Sequence, residues 1–405
     1  MVPVGSFESL AAAVRAGADS VYFGIGRFNM RSRSSVNFTA DDLQKIMRIC
    51  RSFNKKAYIT LNVVFYDSDL DEMKRTVDLA KKYRVDAVIA SDQSAIQYAK
   101  DAGIEVHLST QVNISNTESL RFYSGFADVA VLARELNLNQ VTEITSNIRR
   151  HQIKGPSGNL MKVELFAHGA LCMAISGKCY LSLHNHNHSA NRGECLQDCR
   201  RSYVVKDKET GFEMELDSDY IMSPKDLCTI HFINKIIDAG VRVLKIEGRA
   251  RSPEYVKVVT ECYDEALRSI CDESYTEEKI LEWKKRLASV FNRGFWDGYY
   301  MGQRLGEWSH TYGSRATKKK VYTAKCLNYF PKMGIAEFLC ESGTLKTGDE
   351  VFITGPTTGV IEQSVNEIRV DFGSASEAKA GTRFSMPVDR KTRRADKLYR
   401  LTEKE

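Results

Sequence analysis

Short apolar runs recur along roughly the first 250 residues and alternate with longer segments of helical periodicity. The runs are rich in β-branched and aromatic residues, as buried parallel strands are. They occupy residues 21–23, 57–61, 87–90, 106–108, 129–132, 163–167 and 243–247, and residues 2–4 could supply an eighth strand. This alternation predicts an α/β fold.

The segments between the runs carry the signals of amphipathic helices. Thr39 can cap a helix that continues to residue 53, in which Leu43, Ile46 and Met47 share one face. Residues 71–83 and 92–102 repeat the arrangement. Eight strand-and-helix units in roughly 250 residues predict a (β/α)₈, TIM-like barrel, with an open doubly wound sheet as the alternative.

Polar residues follow the predicted strands, where a barrel places its reactive groups. They are Asn62, Ser91, Asp92, Ser109, Thr110, Gln111, Arg134, Glu135, His168, Lys245, Glu247 and Arg249. Each of them alone is explained equally well as a helix cap or a salt bridge. Their convergence on one rim favours a functional site.

The pattern changes at Lys318, where short strands and glycine turns replace the helical segments. We therefore expect a barrel domain over residues 1–315 and a small β-barrel domain over residues 318–405. The second region has 16 Lys plus Arg and 12 Asp plus Glu, so it carries a local +4 charge. This excess is typical of a basic binding patch or of an ordinary solvated face.

Composition excludes several classes of protein. With 405 residues, of which 43% are hydrophobic and 27% charged, the chain is globular and large enough for two domains. It has no apolar stretch typical of a membrane anchor or a secretion signal, so we expect a cytoplasmic protein without a membrane partner. The net charge of +6 suits a nucleic-acid-binding protein or a metabolic enzyme.

Half of the ten cysteines lie in a long insertion at about residues 168–230. They are Cys172, Cys179, Cys195, Cys199 and Cys228. In a reducing compartment such a group suggests a metal centre, and four thiolates suit zinc or an iron–sulfur cluster. The wide spacing of Cys172 and Cys179 favours a cluster, although buried apolar thiols and zinc ligation by His184, His186 and His188 remain alternatives.

Several catalytic signatures are absent from the sequence. The position three residues beyond Cys199 is Ser202, whereas radical adenosylmethionine enzymes have a third cysteine there. There is no His-Glu-x-x-His and no Gly-x-Ser-x-Gly motif. These absences weigh against common hydrolases.

Six stretches in order resemble the collagenase-like peptidase family of unassigned mechanism. They are GSFESL at 5–10, GADSVYFG at 17–24, HGALC at 168–172, NRGEC at 191–195, SPKDL at 223–227 and LKIEGR at 244–249. The carboxyl-terminal region resembles the barrel that some members append, which is similar to the second domain of elongation factors.

The resemblance implies one of two activities. Some members are called proteases, whereas others are oxygen-independent hydroxylation proteins that act on tRNA wobble uridine, ribosomal RNA cytidine or a ubiquinone precursor. The tRNA type is the most similar, because the chain has both the Cys195 and Cys199 pair and the added domain. This implies a [4Fe-4S] cluster on Cys172, Cys179, Cys195 and Cys199, with prephenate as hydroxyl donor and Cys228 as a competitor for the fourth position.

The position of the rim residues also predicts their roles. His168 and Glu247 are acid/base candidates, and Lys245 and Arg249 are anion-binding candidates. Contacts to phosphates or to prephenate are expected from Arg31, Arg33, Arg134, Arg192, Arg200 and Arg249. The expected partners are tRNA and a small-molecule co-substrate, not DNA. A peptidase using Cys172 and His168, and a non-catalytic RNA-binding protein with structural zinc, are the competing hypotheses.

Overall fold

The computed structural model describes residues 1–33, 37–204, 208–211, 222–303, 306–310, 313–371 and 373–404. Within these ranges, the amino-terminal part is an α/β unit with a largely parallel sheet, and the carboxyl-terminal part is an antiparallel β domain. The predicted α/β fold with a parallel sheet and the carboxyl-terminal β domain are therefore confirmed, while the closed barrels stay predictions.

The first sheet has ten strands in the described ranges. They are β1 (Val2–Pro3), β2 (Ser20–Gly24), β3 (Lys56–Leu61), β4 (Ala87–Ala90), β5 (Glu105–Leu108), β6 (Val129–Val131), β7 (Lys162–Gly169), β8 (Asp226–Cys228), β9 (Val243–Ile246) and β10 (Phe295–Trp296). Strands β1 to β7 pair in chain order, all in parallel, and β9 pairs in parallel with β7. Every predicted strand is therefore present.

Two further strands have no counterpart in the sequence prediction. The end of β7 pairs antiparallel with β8, which pairs in parallel with β10. Both are too short, at three and two residues, to show a periodic pattern. They lie at the carboxyl end of β7, where the cysteine-rich insertion begins.

Met1 lies between the two ends of the parallel strand order. Its carbonyl oxygen accepts a hydrogen bond from the Ile246 nitrogen at 3.1 Å, and its own nitrogen donates to the Leu244 oxygen at 2.7 Å. Strand β9 therefore hydrogen-bonds to β7 on one side and to the residue before β1 on the other.

The helices follow the strands as predicted. They are α1 (Phe7–Arg15), α2 (Leu43–Ser52), α3 (Leu70–Lys82), α4 (Gln93–Asp101), α5 (Thr117–Ser124), α6 (Leu138–Arg150), α7 (Leu181–His186), α8 (Ile233–Asp238), α9 (Pro253–Cys271) and α10 (Glu277–Ser289). Thr39 pairs with Asp42 around a short 3₁₀ turn, so the α-helix itself begins at Leu43, later than predicted. The apolar faces of the helices pack on the sheet in one continuous core.

The carboxyl-terminal strands form their own core. They are β11 (Lys318–Phe330), β12 (Ile335–Cys340), β13 (Thr344–Lys346), β14 (Glu350–Gly355), β15 (Gly359–Ser364), β16 (Ile368–Val370), β17 (Gly373–Ala375), β18 (Glu377–Lys379), β19 (Arg383–Pro387) and β20 (Lys397–Glu403). The domain packs against α1 and α9, where Lys257 lies 3.2 Å from Glu362 and Lys320 lies 2.7 Å from Glu254. In the described ranges no helix is long and apolar enough to cross a membrane.

Candidate functional site

The carboxyl ends of the parallel strands surround an open cavity, which we call the mouth cavity. The predicted rim residues that line it are Asn62, Ser109, Thr110, Gln111, Arg134, Lys245, Glu247 and Arg249. Arg31 and Cys172 reach the same cavity from outside the strands. Asp92 instead caps α4, where its carboxylate accepts from the Ser94 nitrogen at 2.9 Å. Most of the predicted rim therefore converges on one space.

Lys245 carries a positive charge on the wall of this cavity. Its Nζ lies 2.8 Å from Oε1 of Glu164, and both side chains are buried. The ammonium group also lies 4.9 Å from the centre of the Tyr22 ring. Because removing one partner of such a pair leaves an uncompensated buried charge, Lys245 has a structural role beside any role in anion binding.

Glu247 is held as a carboxylate by its neighbours. Arg31 donates to its Oε1 from Nη2 at 2.8 Å and from Nε at 3.2 Å, while the Tyr22 hydroxyl donates to Oε2 at 3.2 Å. Burial by itself would raise the pKa of Glu247, but the charges of Arg31 and Arg249 lower it to about 2. Such a group accepts hydrogen bonds without holding a proton at neutral pH, which favours a positioning role over the predicted acid/base role.

Two arginines in the mouth cavity differ in what they contact. Arg249 donates from Nη1 to Oδ1 of Asn29 and Oγ1 of Thr60, both at 2.9 Å, and burial lowers its pKa to about 10. The guanidinium of Arg134 lies 4.1 Å from the centre of the Phe166 ring. Its buried Nε and Nη1 have no hydrogen-bond partner in the described ranges. Buried donors of this kind are costly, so Arg134 is well suited to an anionic or acceptor-rich ligand.

His168 lies outside the wall of the mouth cavity. Its ring is buried against Tyr255, Tyr263 and Phe295, with centroid distances of 6.0, 5.6 and 5.5 Å. Burial lowers the pKa of His168 to about 3, so the ring stays neutral near pH 7. Its Nδ1 lies 3.4 Å from the Tyr263 hydroxyl. This environment is that of a core histidine rather than of the predicted acid/base group.

Arg192 connects the insertion to the loop after β3, whereas Arg200 connects parts of the insertion with each other. Arg192 donates from Nη1 to Oδ2 of Asp69 at 2.7 Å and to the Val64 oxygen at 3.1 Å. Arg200 donates from Nη2 to the Leu171 oxygen at 2.5 Å. Both were predicted to contact a ligand, but Nη1 of Arg192 and Nη2 of Arg200 donate to groups within the chain.

The histidines of the insertion contact charged side chains. His186 Nε2 lies 3.3 Å from the Asp198 carboxylate, and His188 Nδ1 lies 3.4 Å from that of Glu194. Arg33 also lies 2.9 Å from Nδ1 of His188. These contacts account for two of the three histidines without a zinc ion.

Three cysteines line a second cavity, the thiol cavity, together with Arg31 and Glu247. They are Cys172, Cys195 and Cys199. Burial raises the pKa of Cys195 and raises that of Cys199 to about 11. Cys179 and Cys172 are close enough to raise the pKa of both further. The four predicted ligands therefore lie in one region.

The four cysteine side chains, with Arg31 and Arg200 nearby, are of the chemical type that binds a metal centre through thiolates. Arg31 lowers the pKa of Cys195 and Arg200 lowers that of Cys199, so both can offset the negative charge of ligated thiolates. As the side chains are placed, no group of three or more His, Cys, Asp or Glu residues in the described part of the chain could hold a metal ion. The competing ligand Cys228 is buried in the hydrophobic core, and burial raises its pKa to about 11.

A third cavity, the aromatic cavity, adjoins the other two. Its walls include Trp296, Tyr299, Trp308, Arg134, Cys172, Met173 and Ile175. Sequence reasoning missed it, because isolated aromatic residues near residue 300 form no motif. The pairing of β10 with β8, and the bridge between Pro224 and Trp308, bring these rings beside the insertion.

Comparisons with known proteins agree with the resemblance seen in the sequence. The model of a family described as Peptidase family U32 matches residues 5–310. A protein of Porphyromonas gingivalis named collagenase is 60% identical over 100% of this chain and 98% of its own length. A tRNA hydroxylation protein of Bacillus subtilis is 29% identical over 93% of this chain and 88% of its own. A 23S rRNA 5-hydroxycytidine synthase of Escherichia coli is 36% identical over 73% of this chain and 44% of its own.

Proposed function

We propose, since the chain belongs to peptidase family U32, that it is an RNA hydroxylation enzyme converting tRNA wobble uridine to 5-hydroxyuridine without molecular oxygen. Relatives named for tRNA and rRNA hydroxylation support this reaction class. The observation that carries the proposal is the junction of the cavities: Cys172 lines all three, and Arg31 and Glu247 line both the mouth and the thiol cavity. Chemistry on a base requires cofactor and substrate sites in such contact.

In this proposal Cys172, Cys179, Cys195 and Cys199 hold a [4Fe-4S] cluster. The bound cluster would supply electron transfer or activation of the oxygen donor. Zinc on the same thiols is the alternative and would give a structural site. Because thiols with raised pKa values must lose protons to bind metal, loading should be favoured by alkaline pH.

The residues of the mouth cavity would bind the oxygen donor. Hydroxylation replaces a ring hydrogen with a hydroxyl group and oxidises the base, so the donor must be reduced in the same reaction. Prephenate carries carboxylates that Arg249 could contact and that Lys245 would attract. Glu247 would keep Arg31 oriented between this cavity and the thiols.

We also propose that the parallel strands close into a (β/α)₈ barrel. Support comes from the two hydrogen bonds that connect Met1 with Leu244 and Ile246. A closed barrel would direct all strand ends to one mouth, as in the enzymes of this fold. We likewise take the carboxyl-terminal domain as a small barrel that contacts the tRNA body.

The cofactor is tested by anaerobic purification followed by analysis of iron, sulfide and zinc. We expect about four irons per chain and a broad visible absorption band for the wild type. Cys179→Ala should lose both, whereas Cys271→Ala, which removes an exposed cysteine outside the insertion, should keep both. Zinc without iron would contradict the cluster.

The reaction is tested by mass spectrometry of tRNA nucleosides from a deletion strain without a redundant relative. We expect 5-hydroxyuridine and its derivatives to disappear, to return with the wild-type or Cys271→Ala gene, and to stay absent with Cys179→Ala. Unchanged modification in the deletion strain would refute the proposed function.

The collagenase name of the 60% identical relative makes peptidase activity the second candidate. Its geometric support is weaker, because the buried ring of His168 contacts the Tyr263 hydroxyl and has a pKa of about 3. Degradation of purified gelatin by the wild type, lost in Cys172→Ala, would favour the peptidase over the hydroxylation enzyme.

A further inference from the structure

We propose that the aromatic cavity is the subsite that receives the flipped base of the RNA substrate. This inference rests on the proposed function and assigns the substrate ring to one place. The cavity adjoins the charged mouth cavity but has its own aromatic walls, so base and oxygen donor would approach the thiols from different sides.

Three aromatic side chains, Trp296, Tyr299 and Trp308, line this cavity. Trp296 and Tyr299 pack edge to face, with centroids 5.4 Å apart and an interplanar angle of 77°. A Cβ atom at Gly306 would lie 3.6 Å from the Tyr299 hydroxyl, 3.7 Å from Trp296 and 4.0 Å from Trp308. The three aromatic side chains therefore converge on a gap that the missing side chain of Gly306 leaves open. The rings of Tyr299 and Trp308 are only half-buried and can therefore stack on a nucleobase.

The same walls contain three buried donor atoms without a hydrogen-bond partner in the described ranges. Trp296 is only 5% exposed, and its Nε1 has no hydrogen-bond partner in the described ranges. The Nε and Nη1 of Arg134 are also buried without a partner there. Unpaired buried donors are rare in folded proteins and are satisfied by a ligand rich in acceptors.

The aromatic rings and the unpaired donors together indicate which ligand the cavity binds. A pyrimidine nucleotide offers a flat ring for stacking and carbonyl oxygens that can accept a hydrogen bond from the Trp296 indole. Its phosphate can pair with the Arg134 guanidinium. An aromatic side chain of a peptide would stack as well, but its ring brings no carbonyl acceptor. The observations therefore favour a nucleotide over a peptide.

The aromatic cavity also shares part of its wall with the mouth cavity. Arg134, Cys172 and Ser176 line both the aromatic and the mouth cavity. A ring in the aromatic cavity would thus lie next to Cys172, one of the four predicted cluster ligands. This is the proximity that a reaction between base, donor and cluster requires.

The test measures binding of a labelled RNA hairpin whose loop carries one uridine, and of the same hairpin with an abasic site at that position. We expect the wild type to prefer the uridine hairpin about tenfold, since stacking is lost with the base. Trp308→Ala should abolish the preference while the affinity for the abasic hairpin stays the same. Trp308→Phe should keep most of it, and Phe122→Ala, a surface aromatic outside the cavity, should keep all of it.

A second variant fills the cavity instead of emptying it. Gly306→Val should block the gap between the rings and abolish the preference without removing any aromatic side chain, and circular dichroism checks that it folds. A wild type that binds both hairpins equally, or a preference that survives in both Trp308→Ala and Gly306→Val, would overturn the subsite. A uridine preference in a protein whose deletion leaves cellular 5-hydroxyuridine unchanged would support the subsite while refuting the hydroxylation function.

Discussion

The carboxylate of Glu247 lies between two positive charges, and this position determines its protonation. Burial would raise its pKa, but Arg31 and Arg249 lower it from the ordinary 4.5 to about 2. Because the pKa is lower in the folded state, the stabilisation is fully present above the unfolded pKa and is lost as the pH falls towards 2.

Replacing this carboxylate should therefore destabilise the protein strongly. We expect Glu247→Gln to lower the free energy of unfolding by about 3 kcal/mol at pH 7, because it removes the carboxylate charge that Arg31 and Arg249 stabilise and that accepts two hydrogen bonds from Arg31. The difference from the wild type should shrink as the pH falls below the ordinary carboxyl pKa. Denaturant unfolding of both proteins at several pH values measures it.

The control is Glu72, which pairs with Arg27 at 2.8 Å, with both side chains about half exposed. Glu72→Gln should change the stability by less than about 1 kcal/mol. Equal effects of the two variants would contradict the account of Glu247.

At the scale of elements, the insertion depends on a few contacts with the loops that follow the strands. The Val64 nitrogen donates to the Asn191 oxygen at 3.0 Å, and Arg192 contacts the ring of Tyr66 at 3.8 Å from its centre. The buried carboxylate of Asp69 holds Arg192, and this hydrogen bond lowers the pKa of Asp69. The cysteine-bearing segment is thus tied to the loop after β3.

Weakening this connection should release the segment without unfolding the sheet. We expect Asp69→Asn to reduce the local stability of the insertion by about 2 kcal/mol and to accelerate proteolytic cleavage within it severalfold. Limited proteolysis with mass spectrometry locates the cuts. The exposed neighbour Asp67 provides the control, and cleavage of Asp69→Asn at the rate of Asp67→Asn would show that the contact is unimportant.

At the scale of the whole molecule, the two parts of the chain pack closely at Gly359. This glycine has a φ of 71°, and a Cβ there would lie 3.0 Å from the Ala12 nitrogen in α1 and 3.1 Å from the Ala11 carbonyl carbon. The backbone of β15 therefore approaches α1 too closely for a side chain. Phe352 and Val360 extend the main core across the same interface.

A methyl group at Gly359 should push the carboxyl-terminal domain away from α1. We expect Gly359→Ala to cost about 1 kcal/mol of backbone strain and a further 1–3 kcal/mol, roughly, from overpacking. Gly343→Ala is the matched control, because Gly343 has a φ of 67° and open space around it, so only the strain applies. Calorimetry compares the variants, and equal melting temperatures would contradict tight packing at Gly359.

The sequence by itself determined eight of the ten strands of the first sheet, several of the helices between them and the change to short strands at Lys318. These features depend on local periodicity and on turn residues, which neighbouring positions in the chain reveal. It also placed the polar residues after the strands, and the common direction of parallel strands then brought Asn62, Gln111 and Lys245 to one cavity. The family resemblance, carried by six short motifs, was confirmed by the family match.

Tertiary structure alone decided which of these residues are available for chemistry. Arg31 meets Glu247, and Trp296 meets Arg134 in one cavity, across long separations in sequence that no local pattern encodes. Burial likewise made His168 a neutral core residue, and internal partners occupied Arg192 and Arg200. Hydrogen bonding and desolvation depend on neighbours in space, so the protonation and availability of a side chain follow only from the packed fold.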